Sequence, residues 1–405
     1  MARIPAFSSR LKSRILAAGA VACFGIATPA LAQDIKIGTV IGFSGLFGAY
    51  GNPLFETFKM ALEESGGQAA GRKITIIKED DKTDPKYAIQ LVRRYIQDDK
   101  VDFLLGPVYT PIAAAIRDDV HRGKTFLIVP LAGDDGITRE MCSPYIVRTS
   151  FSSWQQNVSL GDYVAKNVGK RAALVTSNFA AAHQQSAAFL ETFKAGGGEV
   201  ILHERPALGT ADYAAILTNI RARQDSIDVV YAFLIGPPVA AFTNQWAQSG
   251  LREKIKLVGV IPMADEFWFP GQKDNALGII GGGPYAAGAL DTPANNAFVA
   301  RFQRKFNRAP TSTEVGGYDA GKLLISVIEQ VKGNLKDKAA IRRAFSNAEI
   351  NSPRGYFKID PKTGNVINNI YITRVVKRNG VLTHELIQTY EKVRDPGTGC
   401  KMSAP

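Results

Sequence analysis

The sequence predicts an α/β protein of two lobes, each a parallel sheet covered by helices on both faces. Two observations carry this: strand and helix patterns alternate along the 405 residues in two successive series, and no stretch rich in Pro, Gly or Ser separates those series. The chain therefore crosses between lobes through short segments, and such crossings make a hinge.

The first series opens on residues 35–40, which alternate apolar and polar side chains as a strand does. Gly42, Gly45, Gly48 and Gly51 then punctuate a loop, and a helical pattern runs over 55–64. Strands at 73–79, 101–105 and 125–129 alternate with helices at 85–98 and 112–120. The second series starts at the strand 145–149 and alternates helices at 155–167, 184–195, 213–223 and 238–249 with strands at 171–176, 199–205, 229–233 and 256–260. Helices at 293–306, 318–331 and 338–346 follow, then strands at 355–359, 369–377 and 384–390.

Residues 1–32 read as a secretory leader. Arg3, Arg10, Lys12 and Arg14 precede an apolar run from Ile15 to Ala27, and Ala30-Leu31-Ala32 supplies small side chains for cleavage before Gln33. The run is shorter than a spanning helix requires. Cys23 follows Ala20-Val21-Ala22, a weak match to lipoprotein processing. Export implies the periplasm. Loss of the leader, with four basic and no acidic side chains, lowers the formal charge from +12 to +8. The basic residues are scattered rather than interleaved with aromatics in one run, which argues against nucleic acid.

Cys142 and Cys400 remain after cleavage. They are either two separate thiols or one disulfide, and the polar, turn-rich tail around Cys400 favours the disulfide, which would tether it. His is scarce and neither Cys-x-x-Cys nor His-x-x-x-His occurs, so no metal or other cofactor is expected. The glycine loop matches neither a dinucleotide nor a Walker pattern, and Gly42-Phe43-Ser44-Gly45 is out of register for a nucleophile elbow. No catalytic pair forms around any histidine, so an enzyme is not expected; a secreted α/β hydrolase stays the rival from that class. His183 is read equally as a cleft donor or as an exposed helix-start residue.

Several fragments together resemble the periplasmic substrate-binding proteins of branched-chain amino-acid type ABC importers, the leucine/isoleucine/valine-binding kind. They are Ile35-Lys36-Ile37-Gly38, Ser44-Gly45, Ala49-Tyr50-Gly51, 80–85, 101–106, Val147-Arg148-Thr149 and Tyr318-Asp319-Ala320, in order across almost the whole mature chain. The resemblance implies two lobes of periplasmic binding protein type I joined by a three-segment hinge, with 33–150 plus 284–353 in one lobe and 151–283 plus 354–405 in the other. It implies a monomer that delivers a small ligand to ABC permease subunits in the inner membrane. A sensor that docks on a membrane receptor is the alternative use of the same fold.

Carried over position by position, the resemblance places Tyr50 against the ligand, Thr110 on its carboxylate, and Leu131, Ala132 and Gly133 on its polar head. Amino-acid binders carry an acid where this chain has Ile261, and a buried ammonium without a partner is costly. A narrower resemblance, through 142–145, 148–156 and 231–233, is to members that collect aromatic acids such as benzoates or hydroxycinnamates. It implies walls from Tyr50, Tyr109, Phe179 and Phe233, with His183 near a ring hydroxyl. Trp154 is expected in the interlobe core. Branched-chain or other amino acids and amides remain the rival ligands.

Overall fold

The computed structural model describes residues 33–260 and 262–403, with Pro5; the expected leader, Pro5 apart, and Ile261 lie outside the described residues. Gln33–Pro405 forms one compact unit.

The elements run β1 (Ile35–Thr39), α1 (Gly48–Glu63), β2 (Gln68–Ala69), β3 (Arg72–Ile77), α2 (Pro85–Gln97), β4 (Phe103–Leu105), α3 (Thr110–Gly123), β5 (Phe126–Val129) and β6 (Ile146–Arg148). They continue with α4 (Ser153–Asn167), β7 (Arg171–Thr176), α5 (Ala180–Ala195), β8 (Glu199–Glu204), α6 (Ala214–Arg221), β9 (Val229–Phe233), α7 (Pro238–Gln248), β10 (Lys256–Val260), α8 (Phe269–Gln272) and β11 (Ile280–Gly283). Last come α9 (Pro293–Phe306), α10 (Ser312–Gln330), α11 (Lys338–Asn347), β12 (Phe357–Ile359), β13 (Val366–Arg378) and β14 (Val381–Val393).

Two sheets result, with orders β2-β3-β1-β4-β5-β6 and β12-β13-β11-β10-β9-β7-β8, and β14 pairs β13. The main ladders are parallel in both; β2 in the first, and β12, β13 and β14 in the second, pair antiparallel. Each sheet reverses its order beside its first strand, between β1 and β4 and between β7 and β9. Open α/β sheets bind ligands outside the carboxyl ends of the strands at such switch points.

β9 is buried throughout because helices cover both sheet faces. Val229, Tyr231 and Phe233 pack with Leu160 and Phe189 on one side, and Val230 and Ala232 with Phe242 and Trp246 on the other. In the first lobe Leu104, Ile128 and Val147 meet side chains of α10 and α11 in one core.

The glycine loop is shorter than the sequence reading has it, because α1 already begins at Gly48. A Cβ at Gly51 would lie 2.1 Å from the Gly42 carbonyl oxygen, so glycine here permits a close helix-to-loop contact rather than a flexible turn. α10 likewise begins at Ser312, six residues before the expected helix, with a capping box between Thr311 and Glu314. Gly317 lets it lie on α1, where a Cβ would meet the Leu54 carbonyl at 2.2 Å.

The chain passes between the sheets after β6, after β11 and before β12. Arg354, just before β12, ties the third of these passages to the first and to α10: its Nε donates to Asp319 of α10 at 2.7 Å, Nη1 to the Ser150 carbonyl at 2.8 Å, and Nη2 to the Thr149 carbonyl. Beyond β14 the tail returns to the first lobe. Asp395 accepts two hydrogen bonds from Arg139 at 3.0 Å and one from the Ser152 hydroxyl at 2.6 Å. Cys142 and Cys400 form the expected disulfide, closing a span of 258 residues.

Candidate ligand-binding site

The two switch points face each other across one cleft of about 580 Å³ including its open mouth. The first lobe contributes Phe47 and Tyr50 from the start of α1, Val108, Tyr109 and Thr110 from the β4–α3 turn, and Leu131 and Gly133 from the loop after β5. The second contributes Phe179, Ala181 and Gln185 around the start of α5, Phe233 and Ile235 at the end of β9, and Pro262 after β10. Phe151, on the first passage, and Thr313, in the first turn of α10, complete the lining.

Aromatic faces dominate. Phe47 and Tyr109 lie with ring centroids 4.8 Å apart on one wall, and Phe179 and Phe233 stack at 6.2 Å on the other. Tyr50 reaches across the cleft, its phenol oxygen accepting the Gly236 N–H at 3.3 Å. Burial pushes that phenol well above its ordinary range, so it stays protonated.

No ionisable acid or base other than the two tyrosines lines the cleft among the described residues. The Thr110 hydroxyl and the Gly133 N–H have no hydrogen-bond partner among the described residues. Thr110 is the first residue of α3 and Thr313 lies in the first turn of α10, so two helix N-termini present their positive ends to the cleft. The wall thus offers neutral donors and partial positive charge to an anion, and flat apolar faces to a ring.

Of the residues expected at the ligand, Tyr50, Tyr109, Thr110, Leu131, Gly133, Phe179 and Phe233 line this cleft together. Ala132 does not; it is buried, and its N–H donates to the Pro107 carbonyl at 3.2 Å. His183 does not either. Ala181 and Gln185, four apart on α5, face the cleft, which turns the residue midway between them outward; His183 is exposed, with Nε2 3.1 Å from Asn178 Oδ1. Trp154 is absent from the lining, its indole donating to Glu191 at 2.9 Å.

Sequence reasoning missed Phe47, Val108, Phe151, Gln185, Ile235, Pro262 and Thr313 as lining residues. The Thr311-x-x-Glu314 signature marks the helix start beside Thr313 and could have found it. Asp265, outside the lining, was not anticipated either. It is buried near Tyr50, and burial first, then Glu266 and Glu314, hold its carboxyl well above the usual carboxylate range.

No described helix is long and apolar enough to cross a membrane, and no cluster of three or more metal-ligating side chains occurs among the described residues.

The chain is 30% identical to a Leu/Ile/Val-binding protein homolog of Brucella melitensis over 94% of this chain and 98% of that one. A solute-binding protein of an ABC transporter from R. palustris, solved with benzoate, superposes with a TM-score of 0.84 at 30% identity over 91% of this chain and 99% of that one. One from Rhodopseudomonas palustris BisB5, solved with 3,4-dihydroxybenzoic acid, gives 0.83 at 32% identity over 90% and 99%. A leucine-binding protein of Thermotoga maritima shares the fold, with a TM-score of 0.76 at 21% identity over 88% and 99%. The family model for periplasmic binding proteins matches residues 34–380, and this chain belongs to that family of solute-binding proteins.

Proposed function

We propose that the protein captures an aromatic carboxylate of the benzoate or hydroxycinnamate type between its lobes and delivers it to the permease of an ABC importer. The observation that carries this reading is the cleft wall: paired aromatic faces, free neutral donors at Thr110 and Gly133, and no acidic side chain among the described lining residues. A carboxylate gains hydrogen bonds from those donors, whereas an α-ammonium would be desolvated without an anionic partner. Two of the similar solved proteins hold benzoate and 3,4-dihydroxybenzoic acid, which supports the same ligand class here.

The Leu/Ile/Val-binding relatives favour a second reading, an amino acid. The apolar Ile261 and the uncharged described lining weigh against it. Delivery to a permease would place the exported, mature chain in the periplasm, working as a monomer whose lobes, 33–150 with 284–353 and 151–283 with the 354–393 segment, close on the ligand while the tail beyond β14 stays on the first.

A thermal-shift screen with benzoates, hydroxycinnamates, branched-chain amino acids and benzamides tests the reading. A ligand at 100 times its dissociation constant adds about 2.7 kcal/mol of stability. Aromatic acids should raise the melting temperature and amino acids should not. A shift with leucine and none with any aromatic acid overturns the ligand assignment.

A further inference from the structure

Behind the aromatic wall of the second lobe lies a buried amide network that the ligand reading has not used. Gln185 is 4% exposed and lines the cleft. Its Oε1 accepts from Gln156 Nε2 at 3.0 Å and from Asn157 Nδ2. Its Nε2 has no partner among the described residues.

The orientation of this amide is fixed by a backbone group. The Ser153 carbonyl can only accept, so the Asn157 atom 2.8 Å from it is the nitrogen, and that same nitrogen faces Gln185. Asn157 Oδ1 in turn accepts from the Tyr231 hydroxyl at 2.8 Å. The Gln185 atom inside the network must therefore be oxygen. Turning the amide over would set its N–H group against the fixed Asn157 N–H in a buried site, whereas Gln156, whose Oε1 has no partner among the described residues, could turn to suit either orientation. Ala181, one turn earlier on the cleft face of α5, has too short a side chain to cover the amide.

The network also locates this donor within the cleft. Ser153 donates both its N–H and its hydroxyl to the Gly133 carbonyl, each at 2.8 Å. Gly133, Ser153, Asn157 and Gln185 thus form one hydrogen-bonded chain that starts at the first lobe's free N–H and ends at the second lobe's free amide nitrogen.

We propose that Gln185 is a specificity-determining residue whose Nε2 donates to the ligand's carboxylate from the second lobe, opposite Thr110 and Gly133. It rests on the reading that the ligand is a carboxylate. Because the network holds Oε1 inward, the position accepts an acceptor oxygen and rejects a cationic donor. The carboxylate is then shared between lobes, so binding it draws them together.

The test is calorimetric titration of wild type, Gln185→Leu and Gln185→Glu with benzoate and with its neutral counterpart benzamide, across a panel that also contains acetate and leucine. Gln185→Leu should weaken benzoate by about 10-fold or more, the loss of one charge-assisted hydrogen bond. Gln185→Glu keeps the size and the inward acceptor but turns an oxygen to the cleft; it should weaken benzoate by about 100-fold and leave benzamide within a few-fold of wild type. Benzoate binding within twofold of wild type in both variants overturns the proposal. If wild type instead prefers a non-aromatic carboxylate and both variants lose it, Gln185 keeps its role and the aromatic reading falls. If wild type binds no carboxylate, both fall. Melting of the ligand-free variants controls for folding, and should Gln185→Glu fail to fold, Gln185→Leu decides alone.

Discussion

Arg354 and Asp319 form an ion pair of 2.7 Å between Nε and Oδ2, with side chains 1% and 0% exposed, at the place where the chain passes between lobes. Asp319 belongs to a fragment that marked the family resemblance without any role of its own. Its function is mechanical: it seats the guanidinium that also holds the carbonyls of Thr149 and Ser150. Burial pushes the Asp319 carboxyl up more than Arg354 pulls it down, so the pair's value lies in not being broken.

Arg354→Met should destabilise the protein by about 3–5 kcal/mol, because it leaves a buried carboxylate with only the Ser352 hydroxyl at 2.9 Å. Chemical denaturation measures this. A loss below 1 kcal/mol would mean that solvent reaches Asp319 in the folded protein.

The disulfide and the Asp395 cluster hold the tail independently. Burial alone would raise the Asp395 carboxyl, and Arg139 and Ser152 more than offset it, so the group stays charged. Reduction, or the double substitution Cys142→Ser and Cys400→Ser, should cost about 2–4 kcal/mol of stability and leave ligand affinity unchanged. Intact mass should rise by two hydrogens on reduction. An unchanged mass would show free thiols.

Asp81 is fully buried, and its Oδ2 has no partner while Oδ1 accepts the Thr83 N–H at 2.8 Å. Burial first, with nearby Asp80 adding to it against the pull of the Thr83 N–H, pushes the carboxyl up to about 6. The folded state therefore binds this proton more tightly than the unfolded chain does. Its contribution to stability is present below about pH 4 and is lost as pH rises through 6. Asp81→Asn should be more stable than wild type by about 3 kcal/mol at pH 8, with the difference shrinking toward pH 4. Parallel stability curves for the two proteins across that range would show that Asp81 does not titrate between them.

Tyr50→Phe removes the phenol oxygen that meets the Gly236 N–H across the cleft. Affinity should fall by about threefold to tenfold, the worth of one ordinary hydrogen bond, and small-angle scattering should show less compaction on ligand addition than in wild type. Equal compaction in both proteins would remove this contact from closure.

The alternating elements were legible because apolar periodicity carries them, as in β9 and α2. β11 was not, since Gly281, Gly282 and Gly283 give no pattern. Their smallness is explained by partners distant in sequence: a Cβ at Gly281 would meet Ala264 at 2.8 Å, and one at Gly282 would meet Leu160 at 3.1 Å. Pro53, Gly48 and Gly51 hid the first turns of α1 in the same way. The aromatic walls were anticipated only through the narrower family resemblance, which implied Tyr50, Tyr109, Phe179 and Phe233, all of which line the cleft. Gln185 and Asp265 could not be anticipated, because what makes them notable is the set of groups that surrounds them only after folding.

The most direct test of the ligand assignment is calorimetric titration of wild type and Thr110→Ala with benzoate and with leucine. Wild type should bind benzoate and not leucine, and Thr110→Ala should weaken benzoate by about 1.5–3 kcal/mol through loss of a hydrogen bond to charge. Tight leucine binding by wild type, with no heat from benzoate, would contradict an aromatic carboxylate in this cleft.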